Sequence, residues 1–488
     1  MPDHHGAARG AAYQAEDSMA QWDSVTGETP DWFRDAKFGM FFHWGPYSVP
    51  ACQNEWYSRN MYAKGLAQNL YHEKTYGSLR DAGYKDFYGG LTGEKFDADE
   101  WADLMVRAGV RYAGPVSEHA DNFSLWDSRV NPVNCVNYGP KKDITGLCAK
   151  AFRRRDIKFL ATFHHQWLWG WFMSTDPDAD VYDPANETYY WEALPLETNR
   201  YNPARRPDAR FNEMWAAKVE EVVAKYQPDV VYFDSRAFII DERYRFRVAD
   251  YIHKNSRAII TYKQDDFPQG AGIRDIERGR FSDIKPFPWQ TDDRLEAQVT
   301  WCIVQEPTYR GPAGLIAQLC DVVSKNGNLL LNAGPRVDGT FHPDAVRSLE
   351  SVGAWLRVNG EAIYGTRPFD IFGEGPSAGA DSNFDVDKIN AQIKEGVESD
   401  PAEEQTYGCR DFRFTRKGND VYAITFGWPD DRKISIRAFG RGGLLPELRA
   451  VTLLGDERPL EFSRGPEGLD IRLPPEKPCE YAVVLKLS

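Results

Sequence analysis

Between about residues 30 and 335 the chain alternates short apolar runs with stretches whose apolar positions recur every three or four residues. The clearest helical stretch is 211–226, where Phe211, Met214, Trp215, Val219, Val222 and Val223 fall on one face at the 3.6-residue period. Residues 99–109 (DEWADLMVRAG) and 143–155 also read as helices, and each is followed by a run suited to a buried strand, 110–117 and 157–163. After the helix at 211–226, Pro228 and Asp229 break the pattern, and Val230, Val231, Tyr232 and Phe233 form a strand that runs into Asp234. Further strands are predicted at 37–43, 258–263 and 328–332. Repeated helix-then-strand order with unbroken apolar strands predicts a parallel sheet covered by helices. At this length the simplest closed form of such an α/β fold is a (β/α)8-like barrel.

A helix over 344–358, stopped at Gly360, ends this part, and the texture then changes. Residues 373–405 are rich in Gly, Ser, Asp and Glu and read as a polar, linker-like excursion. Beyond them DVYAITFGW, RKISIRAFG, LRAVTLL, LDIRL and EYAVVLKL are short, alternating and separated by Gly and Pro, the pattern of a β-sandwich. The expected division is an N-terminal extension over 1–30, a barrel over 31–366 and a smaller C-terminal β-sandwich domain over 367–488.

Composition narrows the function classes. A hydrophobic share of 42% with 27% charged residues is ordinary for a globular protein, and no apolar run approaches a membrane span. The formal charge of -14 disfavours nucleic acid, whose phosphates require a basic face. Seven cysteines, an odd number with no Cys-x-x-Cys pair, read as buried thiols and not as a disulfide framework or zinc knuckle. The stretch MPDHHGAARGAAYQAEDS lacks the apolar core of a signal peptide, so a cytoplasmic location is the default expectation, and a trimmed leader would make it periplasmic or secreted. Association of identical copies stays open. The 15 tryptophans are mainly core material, although an indole face also suits a sugar ring.

Barrel enzymes carry their chemistry at the C-terminal ends of the strands. The first strand runs into His43 and Trp44, with Glu55, Trp56 and Tyr57 behind. The run SEHADNF brings Glu118, His119 and Asp121, FHHQW brings His164 and His165, and YFD brings Asp234. Any one of these histidines is more readily a hydrogen-bonded structural residue, but four of the nine lie at strand ends. His164 and His165 are adjacent, so only one can enter the barrel mouth. Asp234 reads either as a helix cap at the next turn or as a carboxylate of the site.

The segments FHWGPYSVPACQNEWYSRNMY, SEHADNF with the WDS after it, YFDSR, VSKNGNLLLNAGPRVDGTF and WLRVNGEAIYGTRPF together resemble the α-L-fucosidases of glycoside hydrolase family 29, over about residues 31–369. The resemblance implies a barrel with a C-terminal β-sandwich that hydrolyses terminal α-L-fucose of a glycan with retention, using neither metal nor cofactor. It implies that Asp234 is the nucleophile, that His43, Glu55, Trp56 and His119 hold fucose hydroxyls, and that His164 or His165 contacts the sugar. Trp44 or Trp289 is expected to pack on the apolar face and methyl group.

Two positions depart from the family pattern. Ala120 stands where a second adjacent histidine is common, which removes one hydroxyl contact, expected near O2. Gln290, in Trp289-Gln290, replaces a common glutamate. The acid is therefore sought elsewhere, and Glu277 is the choice, with Asp292, Asp293 and Glu296 as rivals. Arg274, Arg278 and Arg280 around Glu277 keep a surface ion pair open as its role. The competing functions are a metal-dependent barrel hydrolase, using His43, His119, His164 and Asp234 as ligands, and a glycan-binding relative without activity.

Overall fold

The computed structural model describes residues 21–194, 206–264, 266–379 and 406–488. Eight parallel strands close into a barrel in sequence order: β1 (Phe38–Phe42), β2 (Tyr112–Glu118), β3 (Lys158–Phe163), β4 (Val230–Phe233), β5 (Ile259–Lys263), β6 (Ile273–Asp275), β7 (Trp289–Arg294) and β8 (Gly327–Asn332). The ring shuts where β8 pairs with β1, with Phe38 opposite Leu329 and Phe41 opposite Asn332. Six long helices cover the wall: α1 (Ala98–Ala108), α2 (Ile144–Arg153), α3 (Ala209–Tyr226), α4 (Glu242–Asn255), α5 (Pro312–Ser324) and α6 (Pro343–Asn359). Among the described residues no helix lies between β5 and β6 or between β6 and β7, so the barrel is (β/α)8-like with two coverings missing.

Helix starts follow local chemistry. Asp97 accepts from the N–H groups of Asp99 and Glu100 to cap α1, and Gly109 ends it at φ 83°, a left-handed conformation that suits glycine. Asp143 and Asp208 cap α2 and α3 in the same way, accepting from Gly146 and Phe211. Every strand and helix predicted in the barrel is present, with ends shifted by a residue or two. β6 and β7 were not predicted, because β6 has three residues and β7 reads WQTDDR, whose inward positions are polar. The period of two along the strands sorts the rest. Phe41, Tyr112, Val116, Leu160, Val230, Tyr232, Ile273 and Leu330 pack the lumen, while Phe42, Phe159, Phe163, Phe233, Leu329 and Leu331 face the helices.

The C-terminal part holds a six-stranded sheet in the order β14-β13-β17-β11-β10-β9, its described pairings all antiparallel, and a three-stranded sheet in the order β12-β16-β15. Its strands are β9 (Arg367–Glu374), β10 (Phe412–Lys417), β11 (Asp420–Thr425), β12 (Lys433–Ile436), β13 (Val451–Leu453), β14 (Asp456–Pro459), β15 (Phe462–Arg464), β16 (Leu469–Arg472) and β17 (Val483–Leu487). Phe412, Phe414, Val421 and Leu485 of the larger sheet share one core with Ile434, Ile436, Leu469 and Ile471 of the smaller. Residues 380–405, most of the polar excursion, lie outside the described residues. The domain is docked by the indole of Trp355 on α6, which donates to the Ala482 carbonyl at 2.7 Å. No helix among the described residues is long and apolar enough to cross a membrane.

Candidate active site

At the C-terminal mouth the same alternation delivers polar side chains from successive strands. His43 follows β1, His164 follows β3, Asp234 follows β4, Lys263 ends β5, Asp275 ends β6, Asp292 lies in β7 and Asn332 ends β8. In β2 the register shifts between Val116 and Glu118. This irregularity turns Glu118 outward to Lys218 of α3, at 2.5 Å, and brings His119 inward.

A buried lysine is the hub. Lys263 Nζ lies 2.8 Å from Asp234 Oδ1, 2.9 Å from Asp292 Oδ2 and 3.1 Å from Glu277 Oε2. Burial works against its charge, but Asp234, Asp292 and Glu277 outweigh that effect and hold the ammonium well above its ordinary range. The other oxygen of Asp234 accepts from Trp167 Nε1 at 3.2 Å and lies 3.5 Å from His164 Nδ1. The next helix, α4, is capped by Asp241. Asp234 therefore turns its carboxylate into the mouth, and the cap alternative falls away. Below the hub, Tyr232 donates to Asp292 at 3.2 Å, Gln290 donates to Asp275 at 2.7 Å, and Tyr112 donates to Gln290 at 2.9 Å. Burial first, then the charge of Asp275, raises Asp292 well above the carboxylate range, and burial raises Asp275 too.

Beside this hub three imidazoles meet. The ring centroids of His43 and His119 are 5.5 Å apart, those of His43 and His164 5.1 Å, and those of His119 and His164 5.0 Å. Burial lowers His43 to about 4 and, helped by neighbouring rings, holds His119 and His164 well below the ordinary value, so all three are neutral at pH 7. His43 Nδ1 is fixed by Asn332 Oδ1 at 2.7 Å, and Asn332 Nδ2 donates to the Trp301 carbonyl at 2.6 Å. Glu55 accepts from the Trp301 N–H at 2.9 Å, and burial raises its carboxyl to about 7. Trp56 lies against Trp167 and Trp171, completing an aromatic wall.

Three expected sugar contacts stand elsewhere. Trp44 follows His43 and so faces outward, stacked on Phe96 at 5.5 Å with its indole donating to the Arg336 carbonyl. His165 likewise faces the helices, stacked on Trp215 at 5.9 Å, which leaves His164 as the ring in the mouth. Trp289 opens β7 and therefore sits at the opposite end of the barrel, donating to the Lys325 carbonyl and packed on Phe281. Among the rival acids, Asp293 points outward to Arg310 and Gln318, and Glu296 is fully buried with one oxygen accepting from the Gly334 N–H. Lys263, Asn332, Trp167 and Trp301 were missed. Lys263 and Asn332 close their strands as Asp234 closes the run before it, and that position is the sequence signal they carry. Trp301 carries no local signal, since only the loop after β7 brings it to His43, 5.7 Å between ring centroids.

A closed parallel barrel whose mouth holds acidic side chains, neutral histidines and an indole wall is built as a glycoside hydrolase. The family model for α-L-fucosidase matches residues 6–361, and that for the α-L-fucosidase C-terminal domain matches 408–488. The chain belongs to the α-L-fucosidase family. It is 25% identical to the tissue α-L-fucosidase of Bos taurus, across 96% of this chain and 90% of that protein. It is 28% identical to the α-L-fucosidase of Dictyostelium discoideum, across 72% and 75%. Among solved structures it resembles the Thermotoga maritima α-fucosidase in complex with fucose, with a TM-score of 0.71 and 27% identity over 94% of this chain and 97% of that one.

Proposed function

We propose that the chain hydrolyses terminal α-L-fucose from a glycan with retention, through a covalent intermediate on Asp234, and that Glu277 is the acid and base. The observation that carries this reading is the shared lysine. Asp234 Oδ1 and Glu277 Oε2 both contact Lys263 Nζ, at 2.8 and 3.1 Å, and so stand no more than about 6 Å apart. A retaining enzyme needs its carboxyl groups about 5–5.5 Å apart, whereas an inverting one leaves room for water between them. Glu277 is 36% exposed at the rim, where a leaving group would pass, and Asp234 is 13% exposed beneath it. His43, His119, His164, Glu55 and Trp56 surround the place left for the ring, with Trp167 and Trp301 as the aromatic surfaces. Ala120 is buried beside His119 and offers no hydroxyl contact, so recognition there differs from a site with paired histidines. The seven free cysteines favour a reducing, cytoplasmic compartment.

One observation favours a second acid. Glu55, raised to about 7 by burial and by the charge of Glu277, would carry a proton near neutral pH. The test is hydrolysis of an aryl α-L-fucoside by wild type and by Asp234→Ala, Glu277→Ala and Glu55→Ala, each with azide. Asp234→Ala should yield the β-fucosyl azide and Glu277→Ala the α-fucosyl azide. An α-azide from Glu55→Ala instead transfers the acid role to Glu55, and wild type folded but inert on the fucoside overturns the substrate.

A further inference from the structure

The three histidines of the mouth have a second chemistry. In a tetrahedral site with metal–nitrogen distances of about 2.0–2.1 Å, the centroids of three coordinated imidazoles stand about 5.2 Å apart. Here those separations are 5.0, 5.1 and 5.5 Å, and one candidate ligand atom from each ring lies within 4.8 Å of the others. The nitrogens are also prepared to bind. Asn332 engages His43 Nδ1, which leaves Nε2 as the lone pair. Asp234 faces His164 Nδ1 at 3.5 Å, and His164 Nε2 is buried with no hydrogen-bond partner. His119 Nδ1 is buried and unpartnered as well. Asn332 and Asp234 thus stand where hydrogen-bonding partners of metal-bound imidazoles fix the orientation of the rings.

We infer that His43, His119 and His164 form a binding site for a borderline transition-metal ion, Zn2+ or Co2+, which occupies the mouth in competition with the sugar. Nitrogen donors select such ions over Ca2+ and Mg2+, whose ligands are oxygen. Closing the three nitrogens onto one ion requires ring shifts of about 1 Å. The ion is an inhibitor and not a cofactor, because it takes the lone pairs and the space that the sugar hydroxyls require.

The competition rests on the sugar site proposed above, whereas metal binding itself does not, and two readouts separate them. Co2+ added to the metal-free full chain should give the visible absorption of a four- or five-coordinate ion, at least tenfold weaker in affinity for His119→Gln and His164→Gln. L-Fucose in excess should bleach that spectrum, and Zn2+ should raise KM for an aryl α-L-fucoside without lowering kcat. A Co2+ spectrum that fucose leaves untouched retains the metal site and removes its overlap with the sugar. Absence of any spectrum beyond that of aqueous Co2+ in wild type, where folding is not in question, overturns the site.

Discussion

Two buried ion clusters divide this molecule. At the barrel mouth one lysine, Lys263, faces three carboxylates, Asp234, Asp292 and Glu277. At the junction with the C-terminal domain one carboxylate, Asp321, faces two cations, Arg413 at 2.6 Å and Lys325 at 2.8 Å. The second cluster is saturated: Arg413 also donates to Ser377 and the Phe412 carbonyl, and its guanidinium lies over Phe372 and Tyr407. The first is not, for Asp292 Oδ1, Asp275 Oδ1, His119 Nδ1 and His164 Nε2 are all buried without hydrogen-bond partners. Satisfied buried charge holds two domains in register. Unsatisfied buried polarity marks the place where a ligand is to supply the missing bonds.

The sharpest break between the two is kinetic. Asp234→Ala should lower kcat by about 10^4-fold or more, equivalent to about 5 kcal/mol of transition-state stabilisation. Its urea midpoint should stay near wild type, because Lys263 keeps Asp292 and Glu277 as partners. The converse variant, Arg413→Leu, leaves Asp321 with its ion pair to Lys325 and the more distant charge of Arg280, and should lose about 3–5 kcal/mol of stability, measured by urea unfolding. Its kcat and KM, measured on the folded fraction, should match wild type. Equal kinetic damage from both variants would falsify the division.

The acids and histidines of the mouth were legible in the chain, but its lysine and the second cluster were not. The strand that ends in Asp234 and the strand end at His43 were readable because an apolar run stopping at a polar residue is a barrel signal. The adjacent pair His164 and His165 could be split in principle by alternation, but the direction of the split needed the packing of Trp215. Trp44 and Trp289 were misread because an indole near a site residue looks like a sugar platform, whereas alternation turns Trp44 to the outer face and Trp289, opening β7, sits at the far end of the barrel. Lys263 was passed over because a lysine at a strand end usually reads as solvent-exposed, and only the three surrounding acids justify burying it. The pairing of Asp321 with Arg413, 92 residues apart, had no sequence signal at all.

A smaller effect tests how the mouth is supported from below. Asp292 touches Lys263 but lies under it, between Asp275 and Tyr232. Asp292→Asn should let Lys263 settle fully on Asp234 and Glu277, weakening the nucleophile. The expected result is about a tenfold fall in kcat with KM little changed, because the residue acts only through the lysine. A rise in KM with kcat intact would instead assign Asp292 to sugar binding.

The smallest effect concerns Glu296, which shares the unsatisfied character of the mouth. One oxygen accepts from the Gly334 N–H at 2.9 Å, the other is buried without a partner, and burial raises the carboxyl from 4.5 to about 8. Between about pH 4.5 and 8 the folded chain therefore keeps a proton that the unfolded chain has released. This group makes wild type less stable as pH rises through that window. Glu296→Gln keeps the acceptor for Gly334 and removes the ionisation. Its stability relative to wild type, from urea unfolding at matched ionic strength, should improve between pH 5 and pH 9 by about 1 kcal/mol or more. A difference constant across that range would mean that Glu296 is ionised in the folded chain, and Glu296 would then rejoin the acids of the mouth as a charged member.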